Sequence, residues 1–124
     1  MLKVTFEKKD HALVLLLDGH AGQADIGNDI VCSACSILAY TVAQFVKEAE
    51  TQGDLVSPPT LKLESGNTII ECEPKEEAYG VLINSYLFAE VGYELLAHNY
   101  PQFVELKPFG TEESVDINQK ESLT

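Results

Sequence analysis

The sequence predicts an α+β domain in two layers: an antiparallel or mixed sheet of four to five strands with two long helices packed on one face. Three observations predict it. Short apolar runs come in pairs separated by polar turns, each pair followed by a long stretch with helical apolar spacing, and the chain has 124 residues, enough for one core without disulfide staples. The element order is therefore strand, strand, helix, strand, strand, helix and one further edge strand.

Each element has a local reason. Leu2 to Glu7 alternates, with Leu2, Val4 and Phe6 on one face, the period of a half-buried strand. Ala12 to Leu17 is continuously apolar, as expected of a strand covered on both faces, and the polar Lys8 to His11 between them suits a hairpin turn. From Gly19 to Asn28 there are three glycines and no apolar period, which reads as a mobile loop. Asn28 or Asp29 then opens a helix by accepting hydrogen bonds from its first N–H groups. That helix runs to about Glu50, with Ile30, Ala34, Ile37, Leu38, Thr41, Val42, Phe45 and Ala49 on its expected buried stripe. Ser57-Pro58-Pro59 excludes regular structure before Thr60. Leu61 to Glu64 and Thr68 to Cys72 form a second hairpin around Ser65-Gly66-Asn67. Pro74 suits the first turn of a second helix, which runs to about Asn99 on Ala78, Val81, Leu82, Leu87 or Phe88, Val91 and Leu95. Phe103 to Leu106 supplies the edge strand. The domain spans residues 1–107, and 108–124 is polar and acidic, the composition of a disordered tail.

Composition narrows the function. Eight cationic residues, all Lys, stand against 20 acidic ones, a net charge of −12. Without Arg forks to grip phosphates or base edges, no direct binding of nucleic acid is expected. The charge favours encounter with a basic protein or peptide. The longest uninterrupted apolar run falls far short of the roughly 20 residues that span a bilayer, so no membrane association is expected. The N-terminus lacks the zones of a signal peptide. Three Cys, an odd number with two close together, read as free thiols of a reducing cytoplasm.

The stretch from Gly19 to Ser36, GHAGQADIGNDIVCSACS, concentrates the chemistry. His20 stands where a strand meets a glycine-rich loop. With Asp29 as cap, Cys32 falls in the first turn of the long helix, where unpaired N–H groups and the helix dipole favour a thiolate. An imidazole in reach could take the thiol proton and return it to a leaving amine, and the same N–H groups could stabilise an oxyanion. The residues admit other readings. Cys32-Ser33-Ala34-Cys35 is a C-x-x-C at a helix start, the layout of a thiol redox site, although no strand of a βαβ unit precedes it. His20, Cys32, Cys35 and Cys72 number four, the count for structural zinc, but with irregular spacing. A zinc deaminase lacks its glutamate after His20. A small buried cysteine and a solvated histidine would leave no site at all. His11 and His98 read as solvated or structural, and Cys72 as a core residue.

Gly19-His20-Ala21, Gly27, Asp29-Ile30-Val31-Cys32, Ser33-Ala34 and Ser36 resemble, without a gap, the signature of the bacterial ribosomal-processing cysteine protease family, Prp. The likeness in element order extends over roughly residues 1–106. It implies a cysteine endopeptidase that removes the N-terminal extension of large-subunit ribosomal protein twenty-seven, with His20 as general base and acid and Cys32 as nucleophile. It also implies a homodimer, and a mobile loop between histidine and cysteine. Asp29, Ser36, Gly19 and Gly27 match motif positions near the site. Cys35 is not required by that chemistry, and its proximity to Cys32 would allow an inactivating disulfide. No metal or cofactor is expected. An acidic adaptor that holds a basic ribosomal protein without cutting it is the non-enzymatic alternative.

Overall fold

The computed structural model describes residues 1–20 and 26–110, the side chains of residues 26–29 excepted. Five strands form one mixed sheet: β1 (Leu2–Lys9), β2 (Ala12–Gly19), β3 (Thr60–Glu64), β4 (Asn67–Cys72) and β5 (Val104–Lys107). Their order is β3-β4-β2-β1-β5. All neighbours pair antiparallel except β1 and β5, which are parallel. Helices α1 (Ile26–Thr51) and α2 (Tyr79–Asn99) follow the two hairpins. The two-layer α+β expectation is met.

Both hairpins turn on residues suited to left-handed backbone. Asp10 has φ 57° between β1 and β2, and Gly66 has φ 80° between β3 and β4. Asp tolerates that region and Gly enters it freely, so each pair of strands is joined by a two-residue turn. The resulting register puts Val4 opposite Leu17, Phe6 opposite Leu15, and Leu15 opposite Ile70. One face of the sheet is thus a continuous apolar surface.

The core lies between that face and the helices. Val4, Phe6, Leu13, Leu15 and Ile70 are fully buried against Val31, Val42, Val46 and Leu82. Each such aliphatic side chain contributes roughly 1.5–3 kcal/mol. No helix covers the other face among the described residues. Only Val14 of the second strand is buried there, with Leu16 and Ala12 half-exposed, which corrects the expectation of a strand covered on both sides.

Three further expectations change. First, α1 begins at Ile26, ahead of Asn28 and Asp29, so neither is its cap. Second, its buried stripe is Val31, Cys35, Ala39, Val42, Ala43, Val46 and Ala49, whereas Ile30, Ile37 and Phe45 are exposed. Third, a short 3-10 turn (Glu76–Ala78) precedes α2, which starts at Tyr79 rather than near Pro74 and buries Leu82, Tyr86, Ala89 and Tyr93. Val81, Phe88, Val91 and Leu95 face outward. By length and composition alone, α1 also contains a segment of membrane-spanning size. Ile30–Thr51 reaches that length with a mean hydropathy of 1.5, because it is apolar on two faces. One of those faces packs on the sheet.

Two tyrosines tie α2 to its neighbours, one to α1 and one to the sheet. The Tyr93 hydroxyl donates to the Cys35 carbonyl at 2.8 Å and the Tyr86 hydroxyl to the Ile70 carbonyl at 3.1 Å. Gly92 allows α2 to approach α1, since a Cβ there would meet Leu38 at 2.8 Å. Past β5, the Phe109 N–H donates to Glu90 at 2.8 Å and its ring lies 5.3 Å from that of Phe6. The remaining expected tail, 111–124, lies outside the described residues.

Burial raises the pKa of Cys35, Cys72, Tyr86 and Tyr93. An acid that holds its proton more tightly when folded stabilises the fold fully below its unfolded pKa and loses that contribution as pH rises. The thiols set the start of the window near pH 8.5 and the phenols extend it above about 10. We expect the urea midpoint to fall progressively above pH 8.5, and Cys35→Ala to flatten the fall between pH 8.5 and 10. A midpoint flat to pH 10 in the unsubstituted protein would contradict this.

Candidate active site

The central strand β2 ends at Gly19, which has φ 96° and packs so closely that a Cβ would meet the Met1 carbonyl at 2.6 Å. Its N–H donates to the Gly66 carbonyl at 3.0 Å, continuing the pairing in which Asp18 faces Asn67. His20 leaves the sheet from this fixed point. Its exposed imidazole lies over Gly66, where a Cβ would be 2.7 Å from Nε2 and 3.0 Å from Cε1.

The other wall is the first half of α1. Val31 and Cys35 are buried on the sheet side, so Cys32, one position beyond Val31, emerges exposed at the rim. Ser36, four residues on and hence one turn along the same face, is half-buried beside it. His20, Cys32, Ser36, Tyr40, Gly66 and Asn67 all line one cleft of about 150 Å³. An exposed thiol and an exposed imidazole on one cleft are the components of nucleophilic acyl transfer.

The start of α1 alters the expected electrostatics. Unpaired N–H groups belong to the first four residues of a helix, here 26–29, and Cys32 is the seventh. Its own N–H lies within the helical ladder, and the dipole's effect fades beyond the first turn. The helix end therefore does not supply the thiolate and oxyanion donors expected at Cys32. Gly27 lies in the first turn of α1, and Asp29 is in the helix, its side chain outside the described residues. Residues 21–25 of the expected mobile loop also lie outside them. Gly19 lines the cleft.

The competing readings meet specific obstacles. Cys35 is 2% exposed, and burial, then the neighbouring Cys32, push its thiol up to about 12, a poor resolving thiolate for a redox pair. Cys72 is buried on β4 beside the Tyr86 hydroxyl, 3.7 Å away. Among the described residues no three His, Cys, Asp or Glu gather around a point that could hold a metal. His11 is exposed in the β1–β2 turn and His98 in the last turn of α2, as expected. Sequence reasoning missed Tyr40 and the Glu64–Thr68 turn as cleft residues. The turn itself was recognisable from Ser65-Gly66-Asn67, but its place beside His20 depends on the β2–β4 register, which no local pattern specifies.

The fold is that of solved proteins. SMU.848 from Streptococcus mutans is 25% identical, with a TM-score of 0.61 over 88% of this chain and 94% of that one. The essential ribosomal processing protease Prp from S. aureus, solved with a covalently linked product peptide, is 18% identical, with a TM-score of 0.62 over 87% of this chain and 99% of its own. The same protease with a substrate peptide gives 15% and 0.63 over the same shares. A search of curated protein sequences finds no match. The family described as Cysteine protease Prp matches residues 1–105. The chain that sets an exposed cysteine and histidine on one cleft between α1 and the β3–β4 turn thus belongs to the Prp cysteine protease family.

Proposed function

We propose that this protein is an endopeptidase in which Cys32 is the nucleophile and His20 the general base and acid, acting on the extended form of large-ribosomal-subunit protein twenty-seven. The observation that carries the proposal is the single cleft onto which both side chains open. Peptide binding is supported by the S. aureus structures, which hold a substrate peptide in one case and a covalently linked product peptide in the other.

In this reading an extended peptide lies between α1 and the β3–β4 turn. The imidazole takes the Cys32 proton as sulfur attacks the scissile carbonyl, placing negative charge on its oxygen. Collapse of that intermediate expels the amine, which receives the proton from the imidazolium, and leaves a thioester on Cys32. Water, deprotonated by His20, attacks the thioester, releasing the carboxylic acid and restoring the thiol. Ser36 hydrogen-bonds the substrate or the sulfur. Gly19 allows the Met1 backbone to approach closely. The activation of Cys32 rests on His20 rather than on the helix end.

A net charge of −12 draws in a Lys-rich substrate from the cytoplasm, an attraction that salt screens. Wild-type protein should shorten the extended ribosomal protein, and Cys32→Ala and His20→Ala should each abolish cleavage, read by mass spectrometry. Cys35→Ala should retain most activity. Unchanged substrate mass with a stable complex on a sizing column would mean an adaptor, and loss of activity in Cys35→Ala as complete as in Cys32→Ala would revive the redox reading.

The homodimer fits the outer helical face. Ile37, Phe45, Val81 and Phe88 border an apolar groove of about 660 Å³ between α1 and α2. Phe88 is 84% exposed and Ile37 61%. Apolar side chains grouped on one face in this way mark an association surface, and a two-fold pairing would bury the same patch on both copies. Phe88→Asp should convert the dimer to monomer in sedimentation without lowering the melting temperature of the monomer. A monomeric unsubstituted protein at high micromolar concentration would refute the pairing.

A further inference from the structure

We infer that Gly66 is a positioning residue for His20: the side chain it lacks leaves the space in which the imidazole lies above the β3–β4 turn. The inference deepens the proposed function and rests on the role given there to His20. Two independent features of one residue carry it. Its carbonyl accepts the Gly19 N–H at 3.0 Å, fixing the backbone just before His20. Its Cα faces the ring, so a Cβ would stand 2.7 Å from Nε2, 3.0 Å from Cε1 and 3.6 Å from Cδ2. The approach to Nε2 is closer than real Cβ atoms come, and that to Cε1 is tighter than nearly all such contacts, so the ring must shift. The imidazole is exposed at the end of its side chain, whereas the turn is held by the pairing of β3 with β4. A side chain at 66 therefore displaces the ring and spares the sheet. Displacing a proton-transfer group by about 1 Å costs on the order of a hundredfold in rate.

The positive φ of Gly66, 80°, is a separate matter, since any side chain is strained there. The protein contains its own control. Gly53, beyond the end of α1, has φ 79° and nothing within 4 Å of a built Cβ. Gly53→Ala carries the same strain and meets no neighbour. Conversely, Gly66→Asn relieves part of the strain, because Asn tolerates left-handed backbone, yet keeps the Cβ that meets the ring.

The experiment compares Gly66→Ala, Gly66→Asn, Gly53→Ala and His20→Ala. It measures kcat and KM on the extended ribosomal protein, thermal melting, and the pH dependence of Cys32 alkylation by iodoacetamide. The other two thiols are buried, so alkylation of the folded protein reports Cys32 and needs no substrate. Both Gly66 variants should lose about tenfold or more in kcat with KM changed less than about threefold. Their alkylation profiles should move from that of wild type toward that of His20→Ala. Gly53→Ala should match wild type in both while melting as low as Gly66→Ala. If the Gly66 variants keep wild-type kcat and alkylation while His20→Ala is inactive, the inference fails and the proposed function stands. An equal loss of kcat in Gly53→Ala would assign the effect to backbone strain and overturn the inference. If His20→Ala itself cleaves normally, the proposed function falls first. Should Gly66→Ala not fold, Gly66→Asn with its alkylation profile decides the question.

Discussion

The candidate site depends on the central strand being held on both edges up to its last residue. β2 is paired to β1 through Gly19 and to β4 through Asp18, and the Gly19 N–H extends that pairing to the Gly66 carbonyl. A strand end fixed in this way gives the following side chain a defined origin, even though that side chain is exposed. The cysteine wall has a different support: α1 is seated on the sheet through Val31 and Cys35, on either side of Cys32. Thiol and imidazole are thus carried by α1 and by the end of β2.

Burial and chemistry divide the cysteines. Cys35 and Cys72 lie in the core, where desolvation keeps their thiols protonated, while Cys32 is exposed at the rim. The carbonyl of Cys35 takes the Tyr93 hydroxyl, a bond worth about 1 kcal/mol net that connects α2 to the turn of α1 below the cleft. Cys35 is therefore a structural residue in a C-x-x-C, and the sequence pattern alone cannot tell it from a redox partner.

Much of the fold was legible because strands and turns carry local signals. Alternation in Leu2 to Glu7, the polar Lys8 to His11 turn and Ser65-Gly66-Asn67 all act within a few residues. The helices were legible as helices, but not which way they face. In α1 the expected stripe followed the largest side chains, Ile37 and Phe45, whereas close packing on a sheet selects Ala39, Ala43 and Cys35. In α2 the buried positions include Tyr86 and Tyr93, whose hydroxyls would count against the core had they not found carbonyl acceptors. For the site, the His20 and Cys32 motif was legible from residue types and spacing. The role of the β3–β4 turn was not, because sheet register brings Gly66 to His20 across a sequence separation of more than forty residues.

The strand arrangement also bears on how the protein is best handled. Leu2 borders the cleft and the Met1 carbonyl rests against Gly19, so a purification tag fused ahead of Met1 would sprout at the mouth of that cleft. There it would crowd the cleft. The parallel β5 runs away from that mouth, pairing Val104 with Leu2 and Lys107 with Thr5, and Phe109 packs farther along, on Phe6. The last described residues therefore lie away from the mouth of the cleft.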